Sequence, residues 1–362
     1  MTALHRWCIV ALGVVLGAGT LLVWRSLPAS EEEVSAAELL SRVEGSSDAA
    51  YSGYVETLGT LQLPVADQFT DVGDLFGERT RMRVWWRSSD QWRVNKLLAA
   101  GETDLIHRDD TTVRWSYESA KATRYVDPDI RLPRTADLLP PALGHRLLED
   151  VAADELSRLP ARTVAGRDAL GLRVSPGSPQ SSIDHVDLWV EPDSGIPLRL
   201  DVYAEDGQPA AFTTEFQEFS AATPPSSLTA FTPPPGADVS FDDVLDIADA
   251  ANQYADVVAP SQLAGLSRSA DSRRAVGVYG TGVTQLIAIP LWDRAAEPLR
   301  EQLAVTPGSL ALAQGSFVQV GPLGLLLTDL PGGAGWLVAG TVTQETLQRA
   351  ARTLDDQVEG RR

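Results

Sequence analysis

Few residues in this chain belong to types that do chemistry, and they are sparsely placed. Cys8 is the only cysteine, so no intrachain disulfide and no cysteine-based metal site can form. The four histidines are His5, His107, His145 and His185. His185 and Asp187 stand two apart, with Asp184 beside them; on a strand, residues two apart share a face, and such a set could hold a metal ion. An exposed hairpin edge explains these three better. His107 and His145 have no partner visible in the sequence. Acid pairs such as Asp109–Asp110 and Asp242–Asp243 carry no specific signal in so acidic a chain. The G-x-S-x-G elbow, the P-loop, G-x-G-x-x-G and H-E-x-x-H are all absent. We assign no catalytic residue, no metal and no cofactor, and expect no enzyme.

The informative pattern is an alternation. Arg79, Arg81 and Arg83 point one way from a strand, joined by Arg87 and later Arg93, while Met82, Val84 and Trp86 point the other way. Trp115 and Tyr117 share a face of their strand, as do Leu188 and Val190, and Leu198 and Leu200. Such strands make a sheet with one wet and one apolar side. Helices laid across the apolar side would enclose either a packed core or a cavity suited to acyl chains. The candidate cavity residues are Met82, Val84, Trp86, Val94, Trp115, Tyr117, Leu188, Val190, Leu198 and Leu200. Arg79, Arg81 and Arg83 form the candidate partner surface, facing an acidic partner or phospholipid headgroups.

Charge and hydropathy set the compartment and exclude one class of partner. The 362 residues carry 30 Lys and Arg against 49 Asp and Glu, a net charge of −19. That balance argues against nucleic-acid binding, which needs a basic face. Hydrophobic residues make up 44%, enough to build a core. Trp7 to Trp24 run without a charge; at about 1.5 Å per residue a helix there spans roughly 27 Å, near the hydrocarbon thickness of a bilayer. This segment reads as a single transmembrane signal anchor with Arg6 on the cytoplasmic side. The alternative is a signal peptide cut after Ala29. Both put residues 30–362 outside the cytoplasm, either as a single-pass membrane protein or as a secreted one.

The rest of the chain reads as α+β. A short helix is expected over Ser35–Val43, followed by strands over Tyr51–Leu63, Thr80–Arg87, Gln91–Leu97, Thr103–His107, Thr112–Tyr117 and Thr123–Tyr125. A helical insert over Ala136–Leu159 precedes strands at 162–164, 171–174, 185–190, 197–203 and 211–219. The Pro-rich stretch 222–240 is a semi-rigid linker by composition and the best domain boundary. Beyond it, 241–358 forms a small α+β domain. Its helices are expected over Val244–Val257, over Asp293–Leu303 with Asp293 as N-cap, and from Gln344 behind Thr343. Its strands are expected at 274–279, 284–291, 310–313, 316–320, 324–328 and 335–341.

RTRMRVWWRSSDQWRV (Arg79–Val94), DLIHRDDTTVRWSYESAKATRY (Asp104–Tyr125), VDLWVEPDSGIPLRLDVYAEDG (Val186–Gly207) and FTPPPGADV (Phe231–Val239) occur in that order. Together they resemble the LolA/RseB superfamily of exported half-barrels, over roughly the middle half of the chain. AVGVYGTGVTQLIAIPL (Ala275–Leu291) and WLVAGTVTQETLQRAART (Trp336–Thr353) resemble the second domain of MucB/RseB-like sigma-factor regulatory proteins. The aspartate of that domain's DG pair is missing, since Tyr279-Gly280-Thr281-Gly282 stands there. The resemblance implies an N-terminal antiparallel half-barrel over 30–221 with covering helices. It also implies a partner, the outer part of a membrane anti-sigma factor, and a lipid or lipoprotein acyl chain as ligand. A LolA-like lipid or lipoprotein carrier, or an envelope interaction protein, is the alternative.

Overall fold

The computed structural model describes residues 29–60, 77, 79–128, 130–205, 207, 209–241, 251–253, 257–330 and 333–359. The expected anchor over 7–24, Cys8, Asp242–Asp243 and most of the expected helix over 244–257 lie outside the described residues. Among the described residues no helix is long and apolar enough to cross a membrane.

The chain is a mostly-β α+β protein built on two sheets. The first has twelve strands. β1 (Tyr51–Gly59), β2 (Arg79–Ser88), β3 (Gln91–Leu98), β4 (Gly101–Arg108), β5 (Thr111–Ser116) and β6 (Lys121–Val126) form one antiparallel meander. β7 (Leu156–Val164), β8 (Arg167–Val174), β9 (Ile183–Val190), β10 (Pro197–Ala204) and β11 (Phe212–Ser220) form another. β1 pairs with β11 and joins the two meanders side by side. The seam is irregular between Tyr54 and Val55. A Cβ on Gly53 would stand 2.1 Å from the Glu218 carbonyl oxygen and 2.8 Å from the Phe216 ring, so only glycine lets the strands close here.

One face of this sheet is covered. The helix α1 (Ala36–Glu44) starts behind Ser35, whose hydroxyl accepts from the Glu38 amide at 3.1 Å. It lays Leu39 and Val43 on the sheet. The expected insert over 136–159 is shorter and broken: a 3₁₀ turn (Thr135–Leu138), α2 (Pro140–Leu148) and a second 3₁₀ turn (Ala153–Glu155), after which β7 begins. Asp150 in left-handed backbone (φ 56°) ends the helical run that the apolar periodicity suggested. Gly195 turns β9 into β10 with φ 71°, and a Cβ there would stand 2.1 Å from the Arg42 carbonyl oxygen. The turn thus packs against the end of α1, and the Arg42 guanidinium donates to the Pro192 carbonyl at 3.3 Å.

The stretch expected to be a semi-rigid linker lies against the first sheet. A one-turn helix, α3 (Ser226–Thr229), lies on β2 and β3 with Thr229 buried, and the Thr229 hydroxyl accepts from Gln91 at 2.9 Å. Phe231 meets Trp115 at 5.4 Å between ring centroids. β12 (Asp238–Phe241) then pairs in parallel with β6 at the sheet edge. Prolines cannot donate to a ladder, but they hold an extended strap whose apolar residues cover the sheet.

A two-residue hairpin, β13 (Gln262–Leu263) and β14 (Leu266–Ser267), precedes the second sheet. That sheet has the order β15 (Gly277–Thr281), β16 (Thr284–Leu291), β20 (Gly335–Gly340), β19 (Leu323–Thr328), β18 (Gly315–Val320), β17 (Leu310–Leu312). The helix α4 (Asp293–Val305) packs Ala296, Leu299 and Leu303 on one face; α5 (Gln344–Glu359) packs Leu347, Ala351 and Leu354 on the other. Covered on both faces, β16 and β19 read as near-continuous apolar runs. Asp293 is not the N-cap: Trp292 holds that position, and Asp293 occupies the first turn.

The two sheets are tied by backbone. The Ser182 amide donates to the Thr341 carbonyl at 3.2 Å and the Thr343 amide to the Gln180 carbonyl at 2.8 Å. The Ser182 hydroxyl donates to the Pro322 carbonyl, and Val283 enters the core of the first sheet. Leu188 is fully buried at the centre of that core. Leu188→Ala is expected to lower the unfolding free energy by about 2–5 kcal/mol, read from urea unfolding of the full chain.

Candidate functional site

Strand pairing decides which residues face which side. From Met82 opposite Lys96, Val84 opposite Val94 and Trp86 opposite Trp92, the covered face continues through Leu105 to Arg114 on β5. Met82, Val84, Val94, Leu188, Val190, Leu198 and Leu200 are fully buried there, in one cluster with Leu39, Val43, Leu138 and Leu139. Trp86 is half-buried against the same cluster. Trp115 and Tyr117 stand on the opposite face and are not part of this layer. Trp115 packs with Ile106 and Ala122 beneath the Phe231 strap, and Tyr117 is 60% exposed. The period of two shows that Trp115 and Tyr117 share a face; only the register with β4 shows which face.

An aromatic row crosses four strands at one end of the covered face. Tyr51 stacks on Trp86 at 5.8 Å, Trp86 on Trp92 at 5.3 Å, and Trp92 on His107 at 5.1 Å, with planes within 12° of parallel. The Arg134 guanidinium lies 5.0 Å over Trp92. Trp92, Tyr51 and His107 were not legible as a group, because their sequence positions say nothing until β1–β4 are aligned. Burial pushes the Tyr51 hydroxyl above its ordinary range and the His107 imidazole below its own.

Each described histidine has a structural partner. The His107 imidazole Nδ1 lies 2.9 Å from the Thr112 hydroxyl, which in turn donates to Asp127 at 3.1 Å. His145 Nε2 lies 2.9 Å from the Val43 carbonyl and 3.1 Å from the Ser46 hydroxyl, fastening α2 to the end of α1. His185 lies on β9, inside the sheet between β8 and β10, and is buried rather than at an exposed hairpin edge. It stacks on Tyr203 at 4.3 Å and its Nδ1 lies 2.6 Å from Asp184. Asp187 instead accepts both bonds of a forked pair from Arg173, at 2.6 and 2.8 Å. Among the described residues no group of three or more His, Cys, Asp or Glu is placed to hold a metal.

The open face carries charge. Arg79, Arg81 and Arg83 are exposed along β2. Glu56 on β1 meets Arg79 at 3.2 Å and Arg81 at 3.4 Å. Arg87 and Arg93 do not extend this row. Arg87 turns toward the Pro224 carbonyl under the strap, and Arg93 pairs with buried Asp104 at 2.5 Å. The Asn95 amide bridges by accepting from Arg93 at 2.8 Å and donating to Glu102 at 2.6 Å. Burial, outweighing Arg93 and helped by the Glu102 carboxylate, pushes the Asp104 carboxyl up to about 7.

No protein-family model matches this sequence, and no curated protein matches it. Among solved structures, the chain is similar to MucB in its complex with MucA(peri). They share 18% identity over 88% of this chain and 97% of that one, with a TM-score of 0.48. The Pseudomonas aeruginosa MucA/MucB complex gives 18% identity, 87% and 96% coverage, and a TM-score of 0.48. A LolA-superfamily protein from Nitrosomonas europaea gives 11% identity over 55% of this chain and 98% of that one, with a TM-score of 0.23. The likeness is one of arrangement, and no residue takes a role from it.

The Asp104 site predicts a pH dependence. Its folded carboxyl titrates near 7, above its ordinary 3.8. Between about pH 4 and 7 the folded state therefore holds a proton that the unfolded state has lost, and this group makes stability fall as pH rises through that window. Asp104→Asn is expected to flatten the fall. The check is the urea midpoint at about pH 5 and about pH 8 for both proteins; an equal pH difference in the two would remove Asp104 as its source.

Proposed function

We propose that this chain is a non-enzymatic regulator of the cell envelope, built as a LolA/RseB-like half-barrel with a second α+β unit. In this reading residues 7–24 tether it to the membrane and residues 30–362 lie outside the cytoplasm. It binds the outer part of a single-pass membrane anti-sigma factor. The observation that carries the reading is the second sheet, tied to the first by backbone bonds between 180–182 and 341–343 and by Val283 in the shared core. A carrier of the LolA type has no such unit, and a unit fixed in this way offers a composite surface for a protein partner. The alternation of buried apolar and exposed charged residues on β2 supports it further, giving one sheet a packed side and a side open to contact.

The ligand side of the reading rests on the layer beneath α1 and α2. Its candidate lining is Met82, Val84, Trp86, Val94, Leu188, Val190, Leu198 and Leu200, in one cluster with Leu39 and Val43 of α1 and Leu148 of α2. An acyl chain from a lipid or lipoprotein would take the place of Leu39, Val43 or Leu148 by displacing a helix. This is how a half-barrel of this kind would sense its signal.

The test is a crosslinked capture of the tagged full-length protein from native membranes, with proteins and lipids both identified by mass spectrometry. Recovery of a single-pass membrane protein whose cytoplasmic part binds a sigma factor is the expected result. Recovery of lipids or lipoproteins without it would overturn the regulator and leave a carrier.

A further inference from the structure

The arginine row on β2 has a geometry that specifies its occupant. Arg79, Arg81 and Arg83 are alternate residues of one strand, so their guanidinium groups repeat every ~6.7 Å in single file. The Arg79 and Arg81 side chains are 54% and 55% exposed. One carboxylate, Glu56, serves both of them, and its other neighbour is the Tyr54 hydroxyl, which donates to it at 3.2 Å. Arg83 stands opposite Tyr54 on β1 and Asn95 on β3, and among the described residues no carboxylate lies within ion-pair distance of it. Among the described residues the row therefore carries more guanidinium than carboxylate, on a chain whose net charge is −19. Leu58, 49% exposed beside Arg79, and half-buried Leu97 beside Arg81 add apolar flanks on the same face.

We propose that this row docks an extended acidic polypeptide segment, with Asp or Glu at every second residue, laid along β2 on the open face of the sheet. An extended chain repeats its own alternate side chains every ~6.7 Å, the spacing of the arginines. Each guanidinium presents a fork that matches a carboxylate in two bonds. A membrane offers phosphates across a plane, whereas these arginines lie in one line with Glu56 set among them. The chain's net charge of −19 disfavours such a segment elsewhere, so the row is where it concentrates. This assignment deepens the proposed function, because it rests on the reading that the chain works by binding a protein partner.

The experiment measures fluorescence anisotropy of labelled peptides with the full chain. One peptide alternates Glu and Thr; the second has the same composition with its glutamates in one block. The alternating peptide is expected to bind at least about tenfold more tightly than the block, and to weaken as salt is raised. The variant R79Q/R81Q/R83Q is expected to lose about tenfold or more in that binding, with R79E/R81E/R83E losing more. Arg352→Glu, an exposed reversal on α5, is expected to bind as the unaltered chain does. Circular dichroism melts confirm that the variants are folded. Equal binding of the two peptides, or unchanged binding by the folded triple Gln variant, overturns the proposal. So does row-dependent binding to phosphatidylglycerol vesicles with no peptide binding, which would make the row a membrane contact. Capture from native membranes separates this from the broader reading. An anti-sigma partner retained by the triple variant sinks the row and leaves the regulator. Peptide binding without any such partner keeps the row and sinks the regulator.

Discussion

The seam between β1 and β11 is where two local structures become one. Each meander forms from neighbouring strands and short turns, and either one alone would leave an apolar face and a long edge exposed. Pairing Val55 with Phe216 and Thr57 with Thr214 closes that edge and makes one continuous apolar layer. The 3₁₀ turn before α2 is then anchored from the seam itself, where the Thr214 hydroxyl donates to the Leu138 carbonyl at 2.7 Å. The chain crosses more than 150 residues to make this contact, from Tyr51 to Ser220, so closing it carries a loop-entropy cost that neither meander alone incurs.

The same sheet has two differently finished sides. On the covered side an apolar core is buried and aromatic rings stack across strands, which fixes register at the end where β1 to β4 meet. On the open side, polar residues satisfy one another in local groups: Arg173 with Asp187, Arg199 with Asp201, Arg93 with Asp104. Each of these pairs places a guanidinium beside a carboxylate that is largely buried, where an unpartnered charge would be costly. The β2 row departs from this rule, having more arginine than carboxylate among the described residues. The strap from Ser226 to Phe241 protects the part of the open side that is apolar, around Trp115, and ends as an edge strand.

Much of this was present in the sequence. The period of two in 79–87 separated the exposed arginines from Met82 and Val84, because alternation along a single strand needs no knowledge of its neighbours. The strand at 284–291 and the last helix from Gln344 were legible for the same reason: each is a local pattern with local boundaries. Other features depended on register. Trp115 and Tyr117 fell on the wrong face, since a shift of one residue in pairing exchanges the two faces. The aromatic row, and the partners of His107, His145 and His185, required strands and helices far apart in sequence to be brought together. The place of the Pro-rich stretch against the sheet was not legible from composition, because proline stiffens a chain whether it spans solvent or lies against a sheet.

The sequence by itself determined the alternation and most of the strands, because these follow from backbone periodicity and side-chain polarity over a few residues. Tertiary structure alone decided which of two faces each strand presents, that Asp104 is buried beside Arg93, and that 180–182 pairs with 341–343. Those outcomes depend on long-range pairing, whose free energy belongs to two segments at once and is written in neither.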